Sequence, residues 1–227
     1  EERRVHKPGR WGQGVTTRRG GVGMHKSRWM MIGALLALQI VVGGLSSAMA
    51  GPATDSVKGT IDEVLRILND KELKAPARLE DRRQRLEKVV AQRFDYPEMS
   101  RRSLGAQWNQ LSDKDKQEFI DLFRTLLTNT YADRVETYSG EGVQYLNERT
   151  EKEYAEVRTK VLSGKTEIPM DYRLLNKSND WHVYDVVVDG VSLVNNYRGQ
   201  FTKILHTSSY PELVDQLRKK SDKIKAP

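Results

Sequence analysis

The sequence predicts an α+β fold in which N-terminal and C-terminal helices pack on a curled antiparallel sheet of four strands. The prediction rests on the spacing of apolar residues. They recur every three to four positions between Gly51 and Gly140, every second position from Val143 to Asp189, and again every three to four positions after Asp189. Helices on both sides of a strand meander bury their apolar stripes against that sheet. The arrangement is expected to enclose an apolar cavity.

The N-terminal segment is predicted to be an export signal. Met24 opens a short basic stretch, Trp29 to Leu45 is almost wholly apolar, and Ala48-Met49-Ala50 has the small-x-small pattern of a cleavage site. The apolar stretch is shorter than the roughly 20 residues of a membrane-spanning helix, which favours a cleaved signal peptide over a retained anchor.

Three segments follow from this assignment. Residues 24–50 are the signal peptide, and residues 51–227 form a single domain that begins at Gly51. Residues 1–23 contain no Met and precede a good start residue, so we interpret them as a non-native upstream extension without a function.

Charge and cysteine content exclude several classes of protein. The chain carries 38 Lys and Arg against 31 Asp and Glu, but eight of the basic and two of the acidic residues lie in residues 1–50. Subtracting these leaves 30 basic and 29 acidic residues, a net charge of +1, so nucleic acid is not predicted as a partner. Cysteine is absent, which excludes disulfides, thiolate metal sites, cysteine nucleophiles and the acylated cysteine of a lipoprotein.

The first half of the domain is predicted to be helical. A first helix, capped by Thr54 or Asp55, carries one apolar stripe, and a charged helix follows over about 78–91. Asp95, with Pro97 in the first turn and Glu98 three residues after the cap, begins a helix that runs to about Trp108. The longest helix begins at Ser112, and its apolar side consists of Phe119, Phe123, Leu126, Leu127 and Tyr131.

Four strands and two helices are predicted for the second half. The first strand contains Val143 and Tyr145, and the others are Tyr154–Leu162, Thr166–Leu175 and Trp181–Asp189. The turn sequences SGKTE and NKSND predict antiparallel hairpins, and Asp189-Gly190 is expected to end the sheet. Helical spacing resumes at Val191, and a last helix begins at Ser209 with Glu212 in its first turn.

Few residues point to catalysis. His182 and His206 are the histidines after Gly51, and neither has a second ligand at metal-binding spacing, so no metal site and no cofactor are predicted. Ser192 lacks the second glycine of a nucleophile elbow, and we interpret it as a helix cap. A pair of carboxylates for glycoside hydrolysis has no fixed spacing, so a secreted hydrolase stays open as the alternative.

Alternation in the strands predicts one apolar face of the sheet. That face is expected to carry Val157, Val161, Ile168, Met170, Tyr172, Leu174, Tyr184, Val186 and Val188. The opposite face of the third strand carries Glu167, Asp171 and Arg173 and should be wet. A cavity wall and an ordinary core have the same pattern, so a scaffold with a solid core is a third alternative.

The stretch VYDVVVDGVSLVNNYRGQF, residues 183–201, resembles the toluene-tolerance (MlaC) family of periplasmic phospholipid-transport proteins. The family pattern is V-Y-D-V-x-x-x-G-V-S-L-V-x-N-Y-R-x-Q-F, and this sequence matches each specified position. The resemblance extends over about Ser56 to Leu217. It implies a periplasmic, non-enzymatic carrier that holds a glycerophospholipid by its acyl chains and so maintains outer-membrane lipid asymmetry. The implied partners are phospholipid, an inner-membrane ABC transporter complex and an outer-membrane lipoprotein-porin complex.

Candidate lipid-binding residues follow from the apolar stripes together with this resemblance. They are Phe94, Met99, Trp108, Phe123, Leu127, Tyr131, Val157, Val161, Ile168, Met170, Tyr172, Tyr184, Val186, Val188, Val194, Tyr197 and Phe201. Arg198 lies off the apolar stripe, and two roles are open for it. It could bind a lipid phosphate, or it could pair with Asp185 or Asp189 to hold the turn between strand and helix, and we favour the second role.

Overall fold

The described part of the chain is α+β, as predicted. The computed structural model describes residues 51–136, 142–163 and 166–225, and within them lie six α-helices and one antiparallel sheet of five strands. The predicted signal peptide and upstream extension lie outside the described residues. Within the described ranges, no helix is both long enough and apolar enough to cross a membrane.

Six helices flank the sheet in the chain. They are α1 (Pro52–Asn69), α2 (Leu79–Arg93), α3 (Tyr96–Leu104), α4 (Asp113–Glu136), α5 (Leu193–Thr207) and α6 (Tyr210–Lys225). Two short 3₁₀ segments, Pro76–Arg78 and Gly105–Gln110, precede α2 and follow α3. The third helix ends four residues earlier than predicted because Gly105 adopts a φ of +59°, which is incompatible with a continuing α-helix.

Predicted caps begin several of these helices. The Asp95 side chain accepts a hydrogen bond from the Glu98 backbone N–H at 3.1 Å, and the Ser112 hydroxyl accepts one from the Asp115 backbone N–H at 3.2 Å. At the start of α6, the Glu212 carboxylate accepts a hydrogen bond from the Ser209 backbone N–H at 2.7 Å. These caps satisfy backbone donors that the helices themselves leave unpaired.

The strands form a simple meander. They are β1 (Val143–Glu151), β2 (Tyr154–Ser163), β3 (Thr166–Lys177), β4 (Asp180–Val188) and β5 (Val191–Ser192), hydrogen-bonded in that order and all antiparallel. The prediction that Asp189-Gly190 ends the sheet was wrong. Both residues have positive φ, 49° and 78°, and form a tight two-residue turn that pairs Val191–Ser192 with β4.

The helices fall into two groups around the sheet. One group consists of α1 and α2, which pack on each other. In this group α1 lies against β1, β2 and β4. The other group consists of α3, α4, α5 and α6, in which α3 packs on α5, α4 packs on α6, and α5 also contacts β4. Each group has its own buried apolar cluster, and this division determines where the candidate site residues lie.

Candidate functional site

The concave apolar cluster, as we call it, consists of one face of the sheet and the residues of α1 that cover it. The alternating positions Ala155, Val157 and Leu174 are at most 4% exposed. The register places Val157 opposite Tyr172, and Tyr172 opposite Val186. The buried members of the cluster are Ala53, Val57, Ala155, Val157, Leu174, Trp181, Val183 and Val186.

A less buried rim surrounds the concave apolar cluster. Met170, Tyr172 and Val188 pack against it while remaining partly exposed, as do Ile61 and Tyr145. The predicted candidates Val161 and Ile168 pair with each other one step further along the hairpin, and both are half-buried. The predicted common face is therefore confirmed for the candidates on β2 and β3 and for Val186 and Val188.

A carboxylate ties α1 to this sheet. Glu148 of β1 accepts hydrogen bonds from the Thr54 backbone N–H at 2.7 Å and from the Thr54 hydroxyl at 2.6 Å. A carboxylate at a helix N-terminus satisfies a free backbone donor and complements the helix dipole. The start of α1 is thus held on the edge strand, 94 residues away in sequence.

The remaining candidates lie in a second cluster, which we call the helical cluster. Its centre is aromatic: the rings of Phe123 and Tyr197 meet edge to face with centroids 5.1 Å apart, and Phe201 lies 5.6 Å from Phe123. The candidates packed here are Met99, Trp108, Phe123, Leu127, Tyr131, Tyr184, Val194, Tyr197 and Phe201. Burial raises the pKa of the Tyr197 hydroxyl above its usual value.

Phe94 connects the two clusters. Its side chain packs against both, and its backbone bridges to Val183 of β4. The next residue, Asp95, donates its backbone N–H to the Val183 carbonyl at 2.8 Å. The segment between α2 and α3 is therefore fixed alongside β4, where the covered sheet face meets the helical cluster.

Tyr184 is not on the face where the sequence placed it. A bulge in β4 lies opposite the Arg173–Leu174 step, since Arg173 pairs with Asp185 whereas Leu174 pairs with Val183. The extra residue breaks the alternation, so Tyr184 packs against the helical cluster and not beside Val186 and Val188. The predicted sharing of a face was wrong for this residue because simple alternation assumes a regular strand.

A buried carboxylate organises the corner between β4 and α5. Asp185 is 3% exposed and accepts hydrogen bonds from the Ser192 hydroxyl at 2.7 Å, the Val194 backbone N–H at 3.0 Å and Arg173 at 3.1 Å. The Ser192 hydroxyl also accepts a hydrogen bond from the Asn195 backbone N–H, so its predicted role as a cap is confirmed.

Arg198 does not make the ion pair that we favoured. Arg173, predicted only to lie on a wet face of the sheet, pairs with Asp185 in its place. Arg198 is exposed and lines a cleft of about 230 Å³ with Arg102, Arg173 and Asn195. Arg102 was not among the predicted site residues. Its signal was weak, since an arginine four residues after Glu98 on a helix is usually a surface ion pair.

Neither of the two described clefts has the size of a lipid pocket. The cleft beside Arg198 measures about 230 Å³, and a second cleft between α4, α5 and α6 measures about 180 Å³. Pockets that bury a drug-sized ligand measure roughly 300 to 1,000 Å³. Among the described residues there is also no group of three or more His, Asp or Glu side chains placed to hold a metal ion.

Fold and geometry together define a class of protein: an α+β domain whose curled, unclosed antiparallel sheet has an apolar face covered by an N-terminal helix. A sequence model of the family described as MlaC protein matches residues 58–219, more than half of the chain. The chain therefore belongs to the MlaC family.

Two relatives illustrate the similarity. The chain is 24% identical over 121 residues to the "Intermembrane phospholipid transport system binding protein MlaC" of Haemophilus influenzae, and the match covers 51% of this chain and 56% of the relative. The aligned part thus spans about half the length of that relative. A solved structure from Ralstonia solanacearum, a phospholipid-binding protein in complex with a phospholipid, superposes with a TM-score of 0.70 at 26% identity. That match covers 78% of this chain and 100% of the other.

Proposed function

We propose that this protein is a carrier that binds a glycerophospholipid by its acyl chains between α1 and the apolar sheet face. The observation that carries the proposal is the concave apolar cluster, a buried face with a partly exposed rim. Membership of the MlaC family and the resemblance to a structure solved with a phospholipid support it.

The physics of the cargo favours a carrier over an enzyme. Two acyl chains with roughly 30 methylenes, at about 0.8 kcal/mol each, cost on the order of 20 kcal/mol to expose to water. A lipid therefore does not cross an aqueous compartment unaided. A protein with a dry binding site removes that barrier, and no covalent step is needed.

Lipid entry requires the concave apolar cluster to open. Val57 of α1 is 2% exposed and Val157 beneath the helix is 0% exposed, so the two elements are in close contact. The acyl chains would replace the contacts of α1 with the sheet by their own, leaving the helical cluster as a rigid support. We expect direct contacts from Val157, Val161, Ile168, Met170, Tyr172, Val186, Val188 and Phe94. The candidates in the helical cluster lie at the boundary of this site, and their contact with lipid stays a prediction.

The cellular role follows from the same proposal. The carrier works in the periplasm after removal of its signal peptide. It moves phospholipid between an outer-membrane lipoprotein-porin complex and an inner-membrane ABC transporter complex, and thereby maintains outer-membrane lipid asymmetry. The name of the Haemophilus influenzae relative, which places that protein in an intermembrane transport system, supports this role.

Mass spectrometry of the lipid that co-purifies with the protein tests the proposal. Intact phospholipid in the extract is the expected result. Hydrolysis products would favour the secreted hydrolase with a carboxylate pair, and an extract without lipid would favour a scaffold with a solid core.

A substitution in the concave apolar cluster separates a cavity wall from a core. Val186 is 9% exposed, and overpacking a solid core typically costs about 1 to 3 kcal/mol. If acyl chains occupy this face, Val186→Trp displaces cargo, and we expect the protein to stay folded while its phospholipid content falls. Thermal melting and lipid quantification on the same sample measure both effects.

Two controls accompany this variant. Val191→Trp places the same side chain at a position that is 60% exposed, and Asp171→Asn changes β3 on the face opposite Met170 and Tyr172. Both should keep the lipid content and the melting temperature of the parent protein. A destabilised Val186→Trp protein together with a lipid-free parent would identify the face as ordinary core.

A further inference from the structure

The cleft beside Arg198 lies away from the concave apolar cluster. Arg173 alternates with Tyr172 and Leu174 along β3, so its side chain belongs to the face opposite the apolar one. The cleft is formed there by α3, the first turns of α5, and the strands β3 and β4. Acyl chains bound under α1 would therefore not fill it.

Two arginines of the cleft are held in place by other groups. The Arg102 guanidinium lies 4.0 Å from the centre of the Tyr184 ring and donates to Glu98 at 2.7 Å. Arg173 donates to Asp185 at 3.1 Å. Each guanidinium has five N–H donors, so both keep donors beyond these contacts. Fixed side chains lose little conformational entropy when they bind a ligand.

Arg198 adds a third positive charge that nothing balances locally. Among the described residues Arg198 forms no ion pair, and the carboxylate of Asp185 is paired with Arg173 instead. Its guanidinium lies where Gly105 has no side chain: a Cβ atom there would be 3.3 Å from Nη2 of Arg198. The lining thus carries three guanidinium groups against one buried carboxylate, a net charge of +2.

Nearby carboxylates do not cancel this charge. Glu98 is shared between Arg101 and Arg102. Burial would raise its pKa, but the hydrogen bonds from these two arginines outweigh burial and hold the pKa below its usual value. Glu156 lies 3.7 Å from Nε of Arg173, but it is shared with Arg158, to which it is closer at 2.8 Å. Asn195, exposed at the same cleft, offers a neutral amide donor.

We propose that this cleft, built from Arg102, Arg173, Arg198 and Asn195, is a binding site for a phosphate group. Planar guanidinium groups match the oxygens of phosphate and bind them through paired, charge-assisted hydrogen bonds. The phosphate belongs either to a lipid headgroup or to a free phosphate ion. The site does not depend on acyl-chain binding by the opposite face.

Nuclear magnetic resonance titration of the processed protein at constant ionic strength tests the site. One arm uses inorganic phosphate, and the other uses glycerophosphoglycerol, a phosphodiester headgroup without acyl chains. We expect saturable shifts of the Gly105, Asn195 and Arg198 amide signals. A stronger response to the diester assigns the site to a lipid headgroup, and a stronger response to inorganic phosphate assigns it to the free ion.

Variants make the test specific. Arg198→Gln should weaken phosphate binding about tenfold or more, because it removes hydrogen bonds between charged groups. Arg198→Lys keeps the charge but loses the planar guanidinium group. Its affinity for phosphate should lie between that of the parent protein and that of Arg198→Gln. Arg149→Gln removes an exposed arginine of β1 away from the cleft and should bind like the parent.

The outcome is independent of the carrier proposal. No saturable shift with either probe, or equal affinity in the parent protein and Arg198→Gln, would overturn the phosphate site even if phospholipid co-purifies. Conversely, specific phosphate binding by a protein that carries no phospholipid would support the site and count against the carrier.

Discussion

Asp185 stabilises the corner between β4 and α5. It is 3% exposed, yet its two oxygens accept three hydrogen bonds, from Arg173, Ser192 and the Val194 backbone. A buried carboxylate is tolerated only when it is paired and hydrogen-bonded in this way. The conformation of the corner thus depends on one buried charged side chain in a strand that is otherwise mostly apolar.

Asp185→Asn is therefore expected to destabilise the protein. The amide keeps the shape but replaces one accepting oxygen by a donor and removes the charge opposite Arg173. Hydrogen bonds to charged groups contribute about 1.5 to 3 kcal/mol each, and we expect a loss in that range. Urea unfolding at neutral pH measures it. Asp189→Asn, at an exposed turn with a φ of 49° that Asn also tolerates, should change stability by less than about 0.5 kcal/mol.

Tyr210 gives a pH dependence with a definite sign. Its hydroxyl donates to the Asp115 carbonyl at 3.0 Å, and burial, with Asp115 and Glu118 nearby, raises its pKa to about 12. An unfolded tyrosine loses its proton near pH 10. Between these values the folded protein binds more protons than the unfolded chain, so stability is lost as the pH rises from about 10 to 12.

The Tyr210→Phe protein should lose less stability across this window, because it has no such proton to release. Ultraviolet absorbance of phenolate, followed against pH, should also lack one group that titrates near pH 12 in the parent. A parent and a variant with the same stability profile between pH 10 and 12 would contradict the assignment.

At the scale of elements, the position of α1 depends on residues that are distant in sequence. Its Ala53 and Val57 bury against the sheet, and its N-terminal donors bind Glu148 of β1. Edge strands and terminal helices open more readily than central elements, because fewer contacts hold them. The contact between Glu148 and Thr54 therefore helps to hold α1 over the apolar face of the sheet.

Glu148→Ala should loosen α1 locally. Loss of a side-chain cap at a helix N-terminus costs about 1 kcal/mol. Hydrogen exchange should show roughly fivefold lower protection of the α1 amides, with α4 unchanged, since local opening exposes only the affected element. Glu151→Ala removes a carboxylate that is 75% exposed on the same strand and should leave α1 as protected as in the parent. Equal loss in α1 and α4 would indicate global destabilisation instead.

At the scale of the whole molecule, the location of charge decides the expected partners. Most of the net charge of +7 belongs to residues 1–50, and the rest of the chain is nearly neutral. A domain of this charge should not bind nucleic acid through its backbone phosphates. The phosphate site proposed above is a local cluster of arginines and not a basic surface.

Export is predicted to produce a chain that begins at Gly51. Intact mass spectrometry of the protein recovered from the periplasm should give the mass of residues 51–227, because cleavage follows Ala48-Met49-Ala50. A recovered protein that retains residues 24–50 would contradict the cleaved signal and the periplasmic carrier that depends on it.

The sequence by itself determined the order and type of the main elements, but it missed the short strand β5. Helical spacing located α1 to α4, and alternation located β2 to β4, because these signals act between residues close in the chain. Side-chain caps at Asp95, Ser112 and Ser192 marked helix starts. The cap predicted at Thr54 or Asp55 was wrong, because α1 begins at Pro52 without a side-chain cap. The sequence also identified most of the apolar sheet face, for which regular alternation was a sufficient guide.

Only the tertiary structure decided how the candidate residues are grouped. The sequence assigned Phe123, Tyr197 and Val186 to one site, whereas packing places the two aromatic residues in the helical cluster and Val186 under α1. The tertiary structure also pairs Asp185 with Arg173, and a bulge in β4 directs Tyr184 to the helical cluster. Partners and bulges depend on which distant segments meet, and apolar periodicity carries the same signal for a packed core and for the wall of a binding site.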